Sequence, residues 1–275
     1  MESLTVQRLS TLGHPQRLAL FRLLMRRYPD RVPATELAQA LGLKPNTLSS
    51  YINALMAAGL ATQTRAGTSR LYSIEIDAVR DTLGYLTQDC CRGRPDICAP
   101  LTAPPQQKPR QSVLFLCNAN SARSIFAEAI LRDIAPERFT AHSAGVRPGR
   151  GPHPLALDVL AHHGHDTLTL RSKHLSELQA QGTTSFDFVF TVCDRAANED
   201  CPAWPGHPIS AHWGLPDPVA ATGTPAERSL AFHETYTSLR QRLTAFAALP
   251  FDTLDRLALQ HAVDDIARTQ HPEFT

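Results

Sequence analysis

The chain has 275 residues, of which 43% are hydrophobic and 19% charged, so it can form two ordinary cores and is too apolar to be disordered. No long apolar run occurs, and the first residues lack the features of a signal peptide, so we expect a cytoplasmic protein with no membrane span. The net charge of +1 is unevenly distributed: residues 1–110 contain 14 Lys and Arg against 8 Asp and Glu, and residues 111–275 contain 13 Lys and Arg against 18 Asp and Glu. A basic N-terminal part is compatible with binding a polyanion, although charge alone identifies no partner.

The residues before position 99 predict a small helical module with one hairpin. Gly42 marks a tight turn between two short helices, and Ala66-Gly67-Thr68 marks the turn of the hairpin. Periodicity and turn signals give the order helix, helix, helix, hairpin, helix, at about residues 18–24, 35–42, 44–59, 60–74 and 78–88.

This order is typical of a winged helix-turn-helix. In that fold the helix after the turn, here the one predicted at about 44–59, enters the DNA major groove while the hairpin follows the DNA backbone. The start of that helix carries short polar side chains suited to base edges or phosphates, and the hairpin carries two arginines. The predicted DNA-binding residues are Lys44, Asn46, Thr47, Ser49, Ser50, Asn53, Arg65 and Arg70. The alternative is a small helical domain whose polar helix face is merely solvated.

Further motifs of the first module lie in residues 9–18, Glu36-Leu37-Ala38, Thr47-Leu48-Ser49, Leu55 and Ala58-Gly59-Leu60. With these motifs, residues 4 to about 88 resemble the ArsR family of dimeric metalloregulatory repressors. The resemblance implies a homodimer on a nearly palindromic operator, with the terminal helices forming the interface. The family's common Cys-x-Cys inducer motif is absent, since residues 33–41 contain no cysteine.

A group of three cysteines after the last predicted helix is a candidate inducer site. Cys90, Cys91 and Cys98 follow the last helix, and Gly93 and Pro95 allow the chain to fold back between them. Trivalent arsenic binds three thiolates, whereas structural zinc usually takes four ligands. We therefore expect arsenite binding here, which a subset of ArsR-like repressors with comparable cysteines supports. Incidental cysteines, or a zinc site completed by another ligand, are the alternatives.

A proline-rich segment separates this module from a second one. Residues 99–110 contain four prolines and no periodicity, which predicts a stiff linker. Beyond it, short apolar runs alternate with helical segments, which predicts an α/β domain with a parallel sheet. The predicted bounds are 1–98 for the DNA-binding domain, 99–110 for the linker, 111–249 for the α/β domain and 250–275 for a helical extension.

A cysteine loop directly follows the first buried strand of the α/β domain. Its residues are Cys117, Asn118, Ala119, Asn120, Ser121, Ala122, Arg123 and Ser124, a Cys-x5-Arg-Ser pattern that opens a helix. Backbone N–H groups of such a loop form an anion nest, the helix N-terminus adds a favourable dipole, and Arg123 can bind two oxygens of an oxyanion. The same field favours the thiolate of Cys117 as a nucleophile. An inert cysteine at a strand end is the alternative.

The loop resembles that of the low molecular weight tyrosine phosphatases. Two more cysteines, Cys193 and Cys201, follow a later strand, whereas a phosphatase needs only one. Further motifs are Ser143-Ala144-Gly145, His153-Pro154 and residues 212–218. Together these motifs resemble the arsenate reductases built on the phosphatase fold. The resemblance covers 111–249 and implies a central parallel four-stranded sheet.

The resemblance also implies a mechanism. Cys117 attacks arsenate, Arg123 and Ser124 stabilise the adduct, and Asp217 protonates the leaving hydroxyl. Cys193 then attacks Cys117 and releases arsenite, and Cys201 attacks Cys193 to give a disulfide that thioredoxin or another thiol reductant reduces. Asp217 is alternatively a turn residue. A phosphatase domain, or a catalytically inactive oxyanion sensor, is the alternative for the whole domain.

Several features depart from the family pattern or stand outside it. Asn118-Ala119 replaces the common Thr-Gly, so the loop loses a flexible glycine. Asn120, Glu128 and Ser143 match positions that hold potassium in some relatives, and we expect no tightly bound cofactor besides that ion. Residues 162–165 predict histidines at a solvated helix end, and 251–275 predict an amphipathic helix that packs on a domain or a partner.

Overall fold

The computed structural model describes residues 2–92, 110–180, 185–199 and 207–268. These residues form two compact units, one before and one after the predicted linker, and each is described by itself. None of the helices in the described ranges is long and apolar enough to span a membrane. Cys98, Cys201 and residues 99–109 of the linker lie outside the described residues, so the predictions made for them stay predictions.

The first unit packs five helices on a three-stranded antiparallel sheet. The helices are α1 (Glu2–Leu12), α2 (Pro15–Arg27), α3 (Ala34–Leu41), α4 (Pro45–Ala57) and α5 (Ile76–Gly84), and the strands are β1 (Val32–Pro33), β2 (Ala61–Ala66) and β3 (Ser69–Ile74) in the order β1-β3-β2. Gly42 ends α3 at φ +62°, a left-handed conformation that glycine adopts at no steric cost. Prolines begin α2 and α4, where a missing N–H leaves no bond unmade. The predicted helix-turn-helix and hairpin are confirmed.

Two elements of this unit differ from the expectation. Helix α1 was not predicted, because its inward face carries Thr5 and Arg8 rather than an apolar stripe. The Arg8 guanidinium donates to the carbonyl of Ala78 at 2.9 Å and to the Thr82 hydroxyl at 3.1 Å, so the buried charge is hydrogen-bonded. The last helix is shorter than predicted, and a π turn over Tyr85–Cys90 follows it.

The second unit is an α/β domain with four parallel strands, as predicted. Its strands are β4 (Gln111–Cys117), β5 (Phe139–Gly145), β6 (Phe188–Thr191) and β7 (Ile209–His212), and its helices are α6 (Arg123–Ile134), α7 (Pro154–His162), α8 (Leu175–Ala180), α9 (Asp194–Asn198), α10 (Pro225–Ala247) and α11 (Arg256–Arg268). The apolar run in β4 is buried on both faces, with Phe115 on one side and Leu114 on the other.

The strand order puts the loop that contains Cys117 at the edge of the sheet where ligands bind in such folds. The sheet runs β5-β4-β6-β7, so the chain leaves β4 towards one neighbour and later returns to the other side of β4. In open α/β sheets, ligands bind at the carboxyl ends of the strands where the connections diverge in this way. That point is the end of β4, where Cys117 lies.

Helix α11 covers the edge strand β7, which gives the predicted C-terminal helix a structural role. The Gln260 side-chain amide donates to the Ser210 carbonyl at 2.8 Å and accepts from the Ser210 N–H at 3.4 Å, as a neighbouring strand would. The Trp213 indole donates to the carbonyl of Val263 at 3.0 Å. Helix α11 thereby covers the edge of the sheet formed by β7.

Candidate active site

The loop after β4 turns its carbonyl oxygens outward. The carbonyls of Cys117, Asn118, Ala119 and Ser121 accept backbone hydrogen bonds of 2.8 to 3.1 Å from Val146, Arg147, Gly149 and His153, respectively. A carbonyl and the following N–H point in opposite directions across a trans peptide, so the next N–H groups of the loop point inward. Consecutive inward N–H groups form an anion-binding nest at the N-terminus of α6.

The Cys117 sulfur lies inside this nest and is buried. It accepts the N–H of Asn120 at 3.0 Å and lies 2.9 Å from the Ser124 hydroxyl oxygen. The structure thus places Cys117 where the sequence predicts the nucleophile, with Ser124 in contact.

The loop does not need the missing glycine. Among the described loop residues only Asn120 has a positive φ, of +50°, and asparagine tolerates that region better than most residues. Neither Asn118 nor Ala119 has a positive φ. A glycine is needed instead at Gly145, at the end of β5, because the loop passes close to it. A Cβ atom there would lie 2.8 Å from the Asn118 carbonyl oxygen.

Arg123 lies at the mouth of the nest beside Asp217. Its guanidinium donates to the Leu215 carbonyl at 2.9 Å and pairs with the Asp217 carboxylate at 2.9 Å. The other Asp217 oxygen accepts the N–H of Val219 at 3.2 Å and so caps the short turn Pro218–Ala220. Asp217 is therefore a turn residue that also contacts Arg123, and its role as a proton donor stays a prediction.

Cys193 reaches the same loop from the next strand. It follows β6 and caps α9, where its sulfur accepts the N–H of Ala196 at 3.4 Å. The same sulfur accepts the N–H of Asn118, the residue after the nucleophile, at 3.2 Å. Burial raises the pKa of the Cys193 thiol, and the nearby Cys117 sulfur raises it further, while Arg123 and the two N–H groups oppose the shift. Two cysteines therefore share one anion-binding loop.

A buried polar network supports the loop from behind. Asn120 donates to the hydroxyls of Ser124 at 2.9 Å and Ser143 at 2.8 Å, and Ser143 donates to Glu128. The Lys173 ammonium lies 2.9 Å from Glu128, with both side chains largely buried. Potassium binding at Asn120, Glu128 and Ser143 stays a prediction. Sequence reasoning missed Lys173, because nothing around it signals a contact 45 residues away along the chain.

The predicted DNA-binding residues form an exposed surface. All lie at the start of α4 or on the hairpin and are exposed apart from Thr47, which is half-buried. Arg65 and Arg70 face each other across the hairpin as directly paired residues. The Ser49 hydroxyl donates to the carbonyl of Pro45 at 2.9 Å, which leaves its lone pairs free for a donor. The arrangement fits a helix that presents polar groups to a groove.

The remaining predicted ligands are described only in part. Cys90 is exposed and Cys91 half-buried at the end of the π turn, and neither forms a disulfide. His162 and His163 are exposed, as predicted for a solvated helix end. For His165 the prediction was wrong, because its imidazole bonds both Asp133 and, at 2.7 Å, the Tyr236 hydroxyl, which makes it an internal bridge.

Fold and site together define a class: a parallel α/β domain whose buried cysteine lies in an oxyanion-binding loop at a helix N-terminus. The low molecular weight phosphotyrosine protein phosphatase family model matches residues 112–258, more than half of the chain, and a helix-turn-helix domain model matches residues 12–64. The chain belongs to the low molecular weight phosphotyrosine protein phosphatase family and carries a helix-turn-helix domain in front of that family's fold.

Several similar proteins each cover about half of the chain. The chain is 32% identical over 140 residues to the arsenate reductase of Shouchella clausii, covering 50% of this chain and 96% of that protein. It is 30% identical over 135 residues to the arsenate reductase of Bacillus subtilis, covering 49% and 94%. A solved structure described as an arsenate reductase in the phosphate binding state is 22% identical, covers 50% and 97%, and has a TM-score of 0.39.

Proposed function

We propose that the chain is a bifunctional arsenic-resistance protein, an arsenite-responsive transcriptional repressor joined to an arsenate reductase. One observation carries the enzymatic part. The Cys193 sulfur lies 3.2 Å from the N–H of Asn118, inside the loop of the Cys117 nucleophile. A hydrolytic phosphatase needs one cysteine, whereas arsenate reduction needs a second thiol that can reach the first. The names of the similar proteins support the same assignment.

In the proposed reaction the Cys117 thiolate attacks the arsenic of arsenate and forms an S–As bond, while the As–O bond to a hydroxyl group breaks and that hydroxyl leaves as water with a proton from Asp217. Arg123 and the inward N–H groups of the loop hold the oxyanion. The Cys193 thiolate then attacks the Cys117 sulfur, so that an S–S bond forms and the S–As bond breaks. The electron pair of that bond stays on arsenic and gives arsenite.

The remaining steps regenerate Cys117. The Cys201 thiolate attacks the Cys193 sulfur, a Cys193–Cys201 disulfide forms, and Cys117 leaves as a thiolate. An external dithiol of the thioredoxin class then supplies two electrons and two protons to reduce that disulfide. The relay through Cys201 rests on the family resemblance, since Cys201 lies outside the described residues.

A coupled assay tests this activity. The reduced chain is incubated with arsenate, thioredoxin, thioredoxin reductase and NADPH, with an aryl phosphate as the parallel substrate. We expect arsenate-dependent NADPH oxidation that Cys193→Ser abolishes and that Cys91→Ser, a thiol outside the site, retains. Rapid aryl phosphate cleavage without arsenate reduction would identify a phosphatase instead, and no turnover of either substrate would favour an inactive sensor domain.

The regulatory part rests on the helix-turn-helix and its exposed polar surface. The start of α4 and the paired arginines of the hairpin suit contacts to base edges and phosphates of operator DNA. Exposed apolar side chains on the outer helices, such as Leu4, Leu9 and Leu83, support the homodimer that the ArsR resemblance implies. The mass of the chain in solution tests that dimer.

Cys90, Cys91 and Cys98 are the proposed inducer site, so the product of one domain acts on the other. Two exposed or half-buried free thiols at the end of the first unit are accessible to a soft trivalent centre. Mobility shifts on operator DNA should weaken when arsenite is added, and replacing all three cysteines by serine should remove the response. DNA binding that ignores arsenite in the native chain would refute this part of the proposal.

A further inference from the structure

One imidazole contacts the chain on both sides of Cys193. His212 lies at the end of β7 and is directly paired with Thr191 of β6 in the parallel register. Its Nδ1 atom lies 2.8 Å from the Thr191 hydroxyl oxygen, and its Nε2 atom lies 3.2 Å from a carboxylate oxygen of Asp194. Thr191 is two residues before Cys193, and Asp194 is the residue after it. We call these two contacts the His212 bracket.

Both contacts of the His212 bracket can form at the same time. A carboxylate only accepts, so the Nε2 atom donates to Asp194. A neutral imidazole with its proton on Nε2 still has Nδ1 to accept from the Thr191 hydroxyl. The ring is buried, where a polar group needs such partners.

Gly214 leaves room for the His212 bracket. An added Cβ atom there would lie 2.6 Å from the His212 Nε2 atom and 2.9 Å from the Asp194 carboxylate oxygen. These are the two atoms of one contact, so a side chain at position 214 would push them apart. The φ of Gly214 is not positive, and the glycine is therefore required by this close approach rather than by its own backbone.

The bracketed segment places a sulfur at the loop of the nucleophile. The Cys193 sulfur accepts the N–H of Asn118, the residue after Cys117, at 3.2 Å. A disulfide requires Cα atoms about 4.4–6.8 Å apart, so Cys193 can attack Cys117 only while its backbone stays close to the loop. The rate and the equilibrium of that step depend on how often the two sulfurs meet.

We propose that His212 and Asp194 are positioning residues that hold Cys193 within reach of the Cys117 sulfur. The inference rests on the proposed thiol relay and assigns it two further residues. Without the His212 bracket the segment around Cys193 has more conformations to occupy, so its sulfur spends less time at the loop. The bracket acts on the cysteine that attacks second, so oxyanion binding by the loop should change little.

The test measures how often the two sulfurs meet and does not require arsenate. The full Cys201→Ser chain is equilibrated with reduced and oxidised glutathione, and the Cys117–Cys193 disulfide is quantified by peptide-resolved mass spectrometry after acid quenching. The glutathione ratio at half oxidation gives the effective concentration of one thiol at the other. We expect Asp194→Ala to lower this concentration about tenfold, the scale of one hydrogen bond to a charged group. Gly214→Ala keeps both groups but separates them, and it should give a similar loss.

Matched variants separate the contact from the charge. Asp194→Asn keeps a side-chain oxygen that accepts from Nε2 and should stay near the native value. Asp158 is an exposed carboxylate on another helix, α7, and Asp158→Ala should be native as well. Because His212 and Asp194 act through one contact, adding Asp194→Ala to His212→Phe should cause no further loss, whereas independent effects would multiply. Circular dichroism and thermal melting of every variant establish that the fold is retained.

Phosphate binding is the readout that a general loosening of the domain would change. Phosphate in the nest protects Cys117 from iodoacetamide, and its dissociation constant in Asp194→Ala should stay within about twofold of the native value. A native effective concentration in folded Asp194→Ala or Gly214→Ala, an equal loss in Asp158→Ala, or a parallel loss of phosphate binding would overturn the inference. A chain that shows the expected pattern but reduces no arsenate would refute the proposed function and leave this inference standing.

Discussion

Gly145 holds the anion-binding loop in place by having no side chain. A Cβ atom there would meet the Asn118 carbonyl at 2.8 Å and Ala119 at 3.2 Å, which are backbone atoms that cannot rotate away. We predict that Gly145→Ala displaces the loop and raises the KM for arsenate about tenfold or more, with strain of about 1–3 kcal/mol.

Gly151→Ala is the matched control for that change, because an added Cβ there meets nothing within 4 Å. Steady-state kinetics on both variants checks the prediction. Equal kinetics in the two variants would show that the contact at Gly145 does not shape the loop.

The protonation of Cys193 should limit the second chemical step near neutral pH. Burial raises the pKa of the Cys193 thiol, so the attacking thiolate is scarce at pH 7 and its fraction grows as pH rises. We predict that arsenite release in a single turnover accelerates about tenfold per pH unit between about pH 7 and 8.5. Rapid-quench measurement checks this, and a flat profile would exclude Cys193 deprotonation as the slow event.

Site residues could be predicted where they are close together in the sequence as well as in the folded chain. Cys117, Arg123 and Ser124 lie in one loop between a buried strand and a helix, and that order is visible in the sequence. Lys173 was not predictable, since its partner Glu128 lies on another element and only the folded chain brings them together. The positive φ of the loop falls on Asn120, a position that the sequence alone does not reveal.

At the scale of elements, helix α11 buries the carboxyl group of Asp264. Burial raises the pKa of Asp264 to about 6, and the hydrogen bond from Gln260 only partly offsets that shift. The folded chain therefore binds a proton here more tightly than the unfolded chain does. Stability from this group is greatest below the unfolded value near 4 and decreases as pH rises to about 6.

We predict that Asp264→Asn stabilises the chain above pH 6 by about 1–2 kcal/mol, a melting increase of about 2–8 °C, and that the difference disappears near pH 4. The change removes a charge that burial disfavours at neutral pH. Asp265→Asn, an exposed neighbour on the same helix, should change stability little at any pH. Thermal melts across this pH range check both predictions. A lower melting temperature of Asp264→Asn at pH 7 would contradict the claim that the buried Asp264 charge costs stability at neutral pH.

Most helices and strands follow from periodicity and turn residues, because each presents one apolar face or a buried run to its own core. Helix α1 does not, since it turns Thr5 and Arg8 inward and satisfies them by long-range hydrogen bonds. His165 likewise reads as a helix-end residue, and only the packing of α10 reveals its bond to Tyr236.

At the scale of the whole molecule, we propose that the chain joins a domain that makes arsenite to a domain that responds to it. This predicts that arsenate acts on the repressor only through the Cys117 site. With a thiol reductant present, arsenate should release operator DNA from the native chain but not from Cys117→Ser. Arsenite should release DNA from both.

Mobility shifts with each oxyanion check this coupling. Cys117→Ser leaves Cys90, Cys91 and Cys98 intact, so its response to arsenite serves as the internal control. Equal release of both chains by arsenate would show that the regulatory domain senses the pentavalent ion directly.

In the proposed relay the Cys193 thiolate attacks the Cys117 sulfur of the arsenic adduct, and a single-turnover experiment tests this step. One equivalent of arsenate is added to the fully reduced Cys201→Ser chain without any external reductant, and arsenite and disulfide-linked peptides are measured. We predict one equivalent of arsenite and a trapped Cys117–Cys193 disulfide, with neither product in Cys193→Ser. Arsenite release from Cys193→Ser at the native rate, or no Cys117–Cys193 disulfide in Cys201→Ser, would contradict it.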